Sequence, residues 1–209
     1  MTSSIRIMCV DDHRIVRDGL ELIIGKQGDM EMVASASDGA EAIELYRRFR
    51  PDITLMDLRL RGTSGIEAIR TIRHEFREAR IIVLTMYEGD EDIHQALRAG
   101  AITYLLKDTI SADLIRTIRA VCAGGRPLAP AIAARLAERA SLATLTRREV
   151  EVLNLLAQGL RNKEIAAALG RHETTIQVHV KNIYAKLNVK DRTAAVTVGL
   201  QRGIIHLGG

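Results

Sequence analysis

Five short apolar runs recur through the first half of the chain, at Ile5–Val10, Met30–Ala36, Ile53–Met56, Ile81–Leu84 and Ile102–Leu105. Each has the length of a β-strand. Between and after them lie stretches with apolar residues at three and four spacing, Ile15–Ile24, Ala40–Phe49, Gly65–Glu75, Asp92–Ala99 and Ser111–Ala123, which predict amphipathic helices. Five strands alternating with five helices predict a doubly wound α/β domain, a five-stranded parallel sheet covered on both faces.

The pattern changes after Cys122. Gly124-Gly125-Arg126-Pro127 breaks the fifth helix, and the Ala-rich stretch Pro130–Ala140 predicts a connecting helix. No strand is expected from Leu145 onward. Thr146 and Glu149 form a capping box that starts a helix running to about Gln158 and ending at Gly159. Asn162 is expected to cap a second helix through Leu169, with Gly170 permitting the turn. A third helix is predicted over Glu173–Leu187 and a fourth from Asp191 to about Arg202. The short connection between the second and third suits a helix-turn-helix. The expected organisation is therefore an α/β domain at residues 1–124, a linker at 125–143 and an all-α four-helix domain at 144–209.

Apolar residues make up 47% of the 209 residues and charged residues 27%, the balance of a packed chain rather than a disordered one. The net charge of +4 conceals a segregation, because residues 1–124 carry 17 Lys/Arg against 20 Asp/Glu and the remainder carries 13 against 6. A basic half of this size suits phosphate backbones, since each neutralised phosphate releases counterions; an anionic membrane surface also fits the charge. Cys9 and Cys122 are too few for a disulfide framework or a zinc site and are expected to be buried free thiols. No stretch approaches a membrane span and the first residues lack a leader pattern, so a cytoplasmic protein without a membrane partner is expected.

In a doubly wound sheet, ligands collect beyond the C-terminal ends of the strands. Asp11 and Asp12 follow the first run, Asp57 the third, Thr85 the fourth and Lys107 the fifth. Carboxylates brought together repel one another and lose hydration, which a divalent cation and a lysine offset. Mg²⁺, or Mn²⁺ in its place, suits such an oxygen-rich set.

Asp11-Asp12, Asp57, Thr85, Tyr104 and Lys107, in this order and placement, resemble the phosphoacceptor constellation of response-regulator receiver domains, whose fold is flavodoxin-like. The resemblance implies that Asp57 is the phosphoacceptor. It also implies that Asp12, Asp57 and the main-chain carbonyl of Arg59 hold the metal, with Asp11 acting through a metal-bound water. Lys107 would neutralise the phosphoryl oxygens, Thr85 would donate a hydrogen bond to them, and Tyr104 would swing toward the space vacated. Many receivers carry Pro shortly after the acceptor and directly after the lysine, whereas here the segments read Asp57-Leu58-Arg59-Leu60-Arg61-Gly62 and Lys107-Asp108. Arg59 and Glu88 are expected to flank the path of the hydrolytic water, and His13 to start the first helix.

On the third helix of the second half, Ile176, Val180, Ile183 and Leu187 fall on one face and predict the buried stripe. Gln177, Val178 and Lys181 point away from it, and together suit base edges of a major groove: an amide for adenine, a methyl-bearing side chain for thymine and a cation for guanine or phosphate. The run Leu145–Gly159, followed by Asn162–Ala166, Thr175-Ile176, His179, Ile183, Lys186-Leu187 and Arg192, resembles the LuxR-type helix-turn-helix, and with the receiver resembles the NarL/FixJ architecture. Asn162, Lys163, Lys186, Lys190 and Arg192 are candidate DNA phosphate contacts, while His179 is expected to be structural.

The combined reading is a phosphorylation-dependent transcription regulator. It would take a phosphoryl group from a sensor histidine kinase, form a homodimer on phosphorylation or on DNA, and bind double-stranded promoter DNA, with RNA polymerase as a further partner. The helix around Ala194–Leu200 is a candidate dimer surface. A phosphatase of the haloacid dehalogenase type would also use an Asp nucleophile and Mg²⁺ on a parallel sheet, but it needs a second Asp where Arg59 stands, so no stand-alone enzyme is expected. A degenerate receiver on a constitutive DNA-binding protein is disfavoured because all the key positions are filled.

Overall fold

The computed structural model describes residues 4–86, 89–107, 110–128, 130–140 and 143–206. The chain divides into two compact units, a first that runs through Met86 and resumes over Ile93–Ala133, and a second built mainly from Ala134 onward.

In chain order the α/β elements are β1 (Ile5–Val10), α1 (Arg14–Gly25), β2 (Met30–Ala36), α2 (Gly39–Phe49), β3 (Ile53–Met56), α3 (Gly65–Glu75), β4 (Ile81–Thr85), α4 (Asp90–Ala99), β5 (Thr103–Leu106) and α5 (Ile110–Cys122). The strands form one parallel sheet in the order β2-β1-β3-β4-β5. Every residue of β3 and β4 is buried, as expected for central strands covered on both faces. One face packs Ile7, Cys9, Leu55 and Leu84 against Leu20 and Ile24 of α1 and Leu114 and Ile118 of α5. Helix starts are fixed by local chemistry. Asp38 accepts hydrogen bonds from the amides of Ala40 and Glu41 at the start of α2, and Ser64 with Glu67 forms a capping box at α3.

Helix α4 begins two residues earlier than its apolar spacing predicts. Its first turn is Asp90, Glu91 and Asp92, which suits the positive end of a helix dipole but contributes nothing to apolar periodicity. Cys9 is buried and free, and burial, with a further push from Asp11, raises its thiol to about 12. Cys122, expected to be buried, is only half-buried, because it is the last residue of α5.

The connecting helix α6 spans Pro130–Ala140, the range expected from its composition, and is followed by α7 (Arg147–Ala157), α8 (Asn162–Ala168), α9 (Glu173–Leu187) and α10 (Arg192–Gln201). The core of these last four comprises Val152, Leu153, Leu156, Ile165, Ile176, Ile183, Leu187 and Ala195. Asn162 is not the cap of α8 but its first residue. Arg161 takes the cap position, and Glu164 reaches back to accept its amide hydrogen at 2.6 Å, so the reciprocal half of a capping box replaces the expected side-chain cap.

One carboxylate in this apolar core has a tertiary partner. Glu149 closes the capping box with Thr146, and its Oε2 also lies 2.7 Å from Lys186 Nζ on α9. Burial pushes the Glu149 carboxyl up, but the Lys186 ammonium and the Thr146 donors outweigh it and hold the group below its ordinary value. Glu149→Gln keeps the shape and loses the charge. Since Lys186 is partly exposed and the pair partly screened, the substitution is expected to cost this unit about 2 kcal/mol at neutral pH. A depressed folded pKa means that the contribution is present above the ordinary glutamate value of 4.5 and lost as pH falls through the folded value. Thermal melts of the two proteins should therefore converge in acid, and a gap independent of pH would refute the assignment.

Candidate functional site

The strand order reverses direction between β1 and β3, and the crevice this leaves at the C-terminal edge holds the acidic residues. Asp11 and Asp12 leave β1 there and Asp57 leaves β3, tied by its amide to Val10 O at 2.9 Å. Lys107 follows β5 and reaches across, with Nζ 2.6 Å from Asp11 Oδ2 and 2.5 Å from Asp57 Oδ2. Asp11, Asp57 and Lys107 are all nearly closed to solvent. Thr85 at the end of β4 and Tyr104 in β5 are fully buried on neighbouring strands.

Burial raises the Asp57 carboxyl above its ordinary value despite the bond to Lys107, and repulsion from Asp11 adds to it. Burial pulls Lys107 down, but its two carboxylate partners outweigh that and raise it. The arrangement is one ammonium shared between carboxylates that both demand it, so the crevice retains unbalanced negative charge. Asp12 Oδ1 is buried and accepts no hydrogen bond, although His13 Nδ1 lies 2.7 Å away. Ligand atoms of Asp11, Asp12, His13 and Asp57 lie within 4.8 Å of one another. Carboxylate oxygens clustered in this way fit a hard divalent cation. His13 starts α1 as expected, but its side chain makes no capping bond and sits against the Asp pair instead. Its position directly after Asp11-Asp12 was the only sequence signal for this.

The proline-free loop after Asp57 is held by other means. Arg59 N donates to Asp57 Oδ1 at 3.3 Å and Gly65 N to Leu58 O at 3.1 Å, Gly62 adopts φ +70°, and the backbone of Arg61 forms an isolated parallel β-bridge with that of Asp38, while its side chain lies 3.7 Å from Asp12 Oδ2. Glu88, expected to face Arg59, lies outside the described residues.

In the second unit, Ile176, Ile183 and Leu187 are buried and Val180 packs against them, while Gln177, Val178 and Lys181 are exposed. Val178 is 57% exposed, among the few large apolar side chains left in water. Lys163 and Lys190 are exposed and Asn162 half-buried. Lys186 is engaged with Glu149, and Arg192 donates to Leu160 O at 2.8 Å and to Leu156 O, satisfying carbonyls at and just beyond the end of α7. Beside the start of α9 lies an open hollow of about 860 Å³ lined by Arg148, Arg171, His172, Thr175 and His179, a set absent from the sequence-derived contacts. Arg148 comes from α7, so only packing brings it there.

Residues 7–119 match the family described as response regulator receiver domain, and residues 143–198 match bacterial regulatory proteins of the luxR family. The chain belongs to the NarL/FixJ-type response regulators. Such a regulator is similar to the transcriptional regulatory protein LiaR of Bacillus subtilis, at 37% identity over 97% of this chain and 100% of that one. It is also 38% identical to the nitrate/nitrite response regulator NarP of Escherichia coli, over 94% and 95% of the two chains. Among solved structures, RcsB of Salmonella enterica serovar Typhimurium, bound to promoter DNA in the presence of the phosphomimetic BeF3-, superposes with a TM-score of 0.72. That match is 26% identical and covers 94% of this chain and 98% of RcsB. This response regulator is a DNA-binding transcription regulator rather than a stand-alone enzyme, and none of its described helices is long and apolar enough to cross a membrane.

Proposed function

We propose that Asp57 takes a phosphoryl group from the phosphohistidine of a sensor histidine kinase, and that the resulting acyl phosphate promotes dimerisation and promoter binding. The observation that carries this is Lys107 Nζ, held at hydrogen-bond distance from both Asp57 and Asp11 inside a closed crevice. An Asp57 carboxylate oxygen attacks phosphorus, the new O–P bond forms as the N–P bond breaks, and the imidazole nitrogen leaves with its electron pair. Lys107 releases Asp57 and pairs with the entering phosphoryl oxygens, keeping its bond to Asp11. Asp12, Asp57 and the Arg59 carbonyl would hold Mg²⁺ or Mn²⁺, with Asp11 acting through water; the cation supplies charge neutralisation for the entering group. Thr85 donates to the phosphoryl group and Tyr104 follows it, which couples the site to the sheet edge.

On the DNA side Gln177, Val178 and Lys181 read bases, and Asn162, Lys163 and Lys190 contact phosphates. Lys186 and Arg192 add their remaining donors. In this reading residues 1–124 are the receiver, 125–143 the linker and 144–209 the DNA-binding domain. The protein works in the cytoplasm with double-stranded promoter DNA, RNA polymerase and a second copy of itself as partners.

The test compares mass and promoter affinity with and without a small phosphodonor plus Mg²⁺. Phosphoryl incorporation should accompany dimerisation and tighter DNA binding. Lys181→Ala should weaken DNA binding about tenfold and leave incorporation intact. Incorporation with no change in mass or DNA affinity would refute the coupling.

A further inference from the structure

The edge of the sheet opposite the acidic crevice carries an arginine cluster that the switch does not use. Arg80 immediately precedes β4, Arg73 and Arg77 lie at the end of α3 and just beyond it, and Arg126 follows α5. They line a cleft of about 470 Å³ whose only acidic lining residue is Glu78. The surrounding α/β half is acidic overall, so this concentration of cations runs against its composition. Other arginines of this half are paired with carboxylates, as with Arg47 and Glu75 or Arg119 and Asp29. Among the described residues no carboxylate pairs with Arg77, Arg80 or Arg126.

The cleft has a built interior. Arg73 donates to the carbonyls of Arg77 and Ala79, the latter at 2.9 Å, which fixes the turn that leads to Arg80. Gly100, at φ +113°, borders the cleft, and a Cβ there would strike the Arg73 stem. A second hollow of about 440 Å³ shares the turn and adds Arg50, whose guanidinium lies 3.6 Å above the Phe76 ring. Guanidinium groups lining one cleft repel one another unless an anion sits between them, and their planar forks match phosphate oxygens two at a time. The volume is in the range of small-molecule sites.

We infer that this cleft binds a small polyphosphate anion, with Arg77, Arg80 and Arg126 as its ligands and Arg73 as the residue that positions the turn. The ligand chemistry is a chain of linked phosphates, supplied either as free polyphosphate or as a nucleoside triphosphate. Arg126 opens the segment that leaves the sheet, and the neighbouring Pro127 carbonyl accepts a hydrogen bond from Thr103 in β5. An occupant would therefore tighten the start of the linker against the sheet.

The test is site-resolved. The full chain, free of Mg²⁺, is treated with an arginine-selective reagent in the presence of tripolyphosphate, ATP or sulfate, and the modified positions are mapped by peptide mass. Tripolyphosphate or ATP should protect Arg77, Arg80 and Arg126 while sulfate does not. Stronger protection by ATP identifies a nucleotide site, and equal or stronger protection by tripolyphosphate a free polyphosphate site. In calorimetric titration, Arg80→Gln/Arg126→Gln should weaken this binding event at least about tenfold, with phosphodonor labelling of Asp57 unchanged. Protection confined to arginines beyond residue 143, protection matched by sulfate, or no protection of Arg77, Arg80 and Arg126 would overturn the inference. The protection experiment uses the unaltered chain, so a variant that misfolds does not rescue the proposal.

Discussion

Asp57→Asn is expected to abolish phosphoryl incorporation from a small phosphodonor and, in the presence of a chelator, to raise the thermal stability of the receiver. The first effect follows from chemistry, because an amide at position 57 lacks the anionic oxygen that would attack phosphorus. The second follows from the geometry of the crevice. Asp57 is buried beside Asp11, and burial already raises its carboxyl above the ordinary range, so the anion costs folding free energy that Lys107 only partly returns. Removing that charge leaves Lys107 in a one-to-one pair with Asp11. A gain of about 1 kcal/mol is expected, at the low end of what removing an incompletely compensated buried charge returns. Adding Mg²⁺ should stabilise the unaltered protein more than the variant, narrowing or reversing the gap. Denaturation with and without Mg²⁺, beside mass analysis after phosphodonor treatment, checks all three statements. Wild-type incorporation in the variant would remove Asp57 as the acceptor.

Gly65→Ala should be among the most damaging single-methyl changes in the receiver. Gly65 opens α3 with its Cα against the backbone of Asp57 and Leu58, and a Cβ would overlap the Asp57 carbonyl and crowd Leu58 Cα at 2.8 Å. Both obstacles are main chain, so no rotamer change relieves them. The loop must move, and with it Asp57. A cost of about 3 kcal/mol, or roughly 10 °C in the receiver's midpoint, is expected, together with slower phosphoryl incorporation. Gly62, in the same loop, provides the control: it has open space around its Cα and needs only its left-handed φ, so Gly62→Asn should cost less than about 1 kcal/mol. Equal losses from the two substitutions would show that backbone conformation, not close approach, dominates this loop.

The site was legible where each residue's role depends on its place along a strand or helix. Asp11, Asp12, Asp57, Thr85 and Lys107 were readable because polar residues at the C-terminal ends of apolar runs face one crevice once the sheet is parallel. The exposed triad Gln177, Val178 and Lys181 followed from helical angle alone, and the structure leaves all three in solvent. What escaped were contacts that depend on how elements pack. Lys186 sits on a helix surface that could face water or DNA, and only the packing of α9 against α7 delivers it to Glu149. The capping of α8 was misplaced by one residue because Asn162 is the stronger intrinsic cap, whereas the Glu164 carboxylate reaches the Arg161 amide.

The alternation of five strands and five helices, the switch to an all-helical second half, and the placement of Asp11, Asp12, Asp57, Thr85 and Lys107 at the C-terminal ends of the strands follow from the sequence. These are carried by periodicity and position within an element, which are local properties of the chain. Tertiary structure alone decided that Lys107 is shared between Asp57 and Asp11, that Gly65 is required for space rather than for backbone freedom, and that four arginines meet at the far edge of the sheet. Each joins groups from different elements, and their approach is set by how closely those elements pack, to within a few tenths of an ångström that no spacing in the sequence encodes.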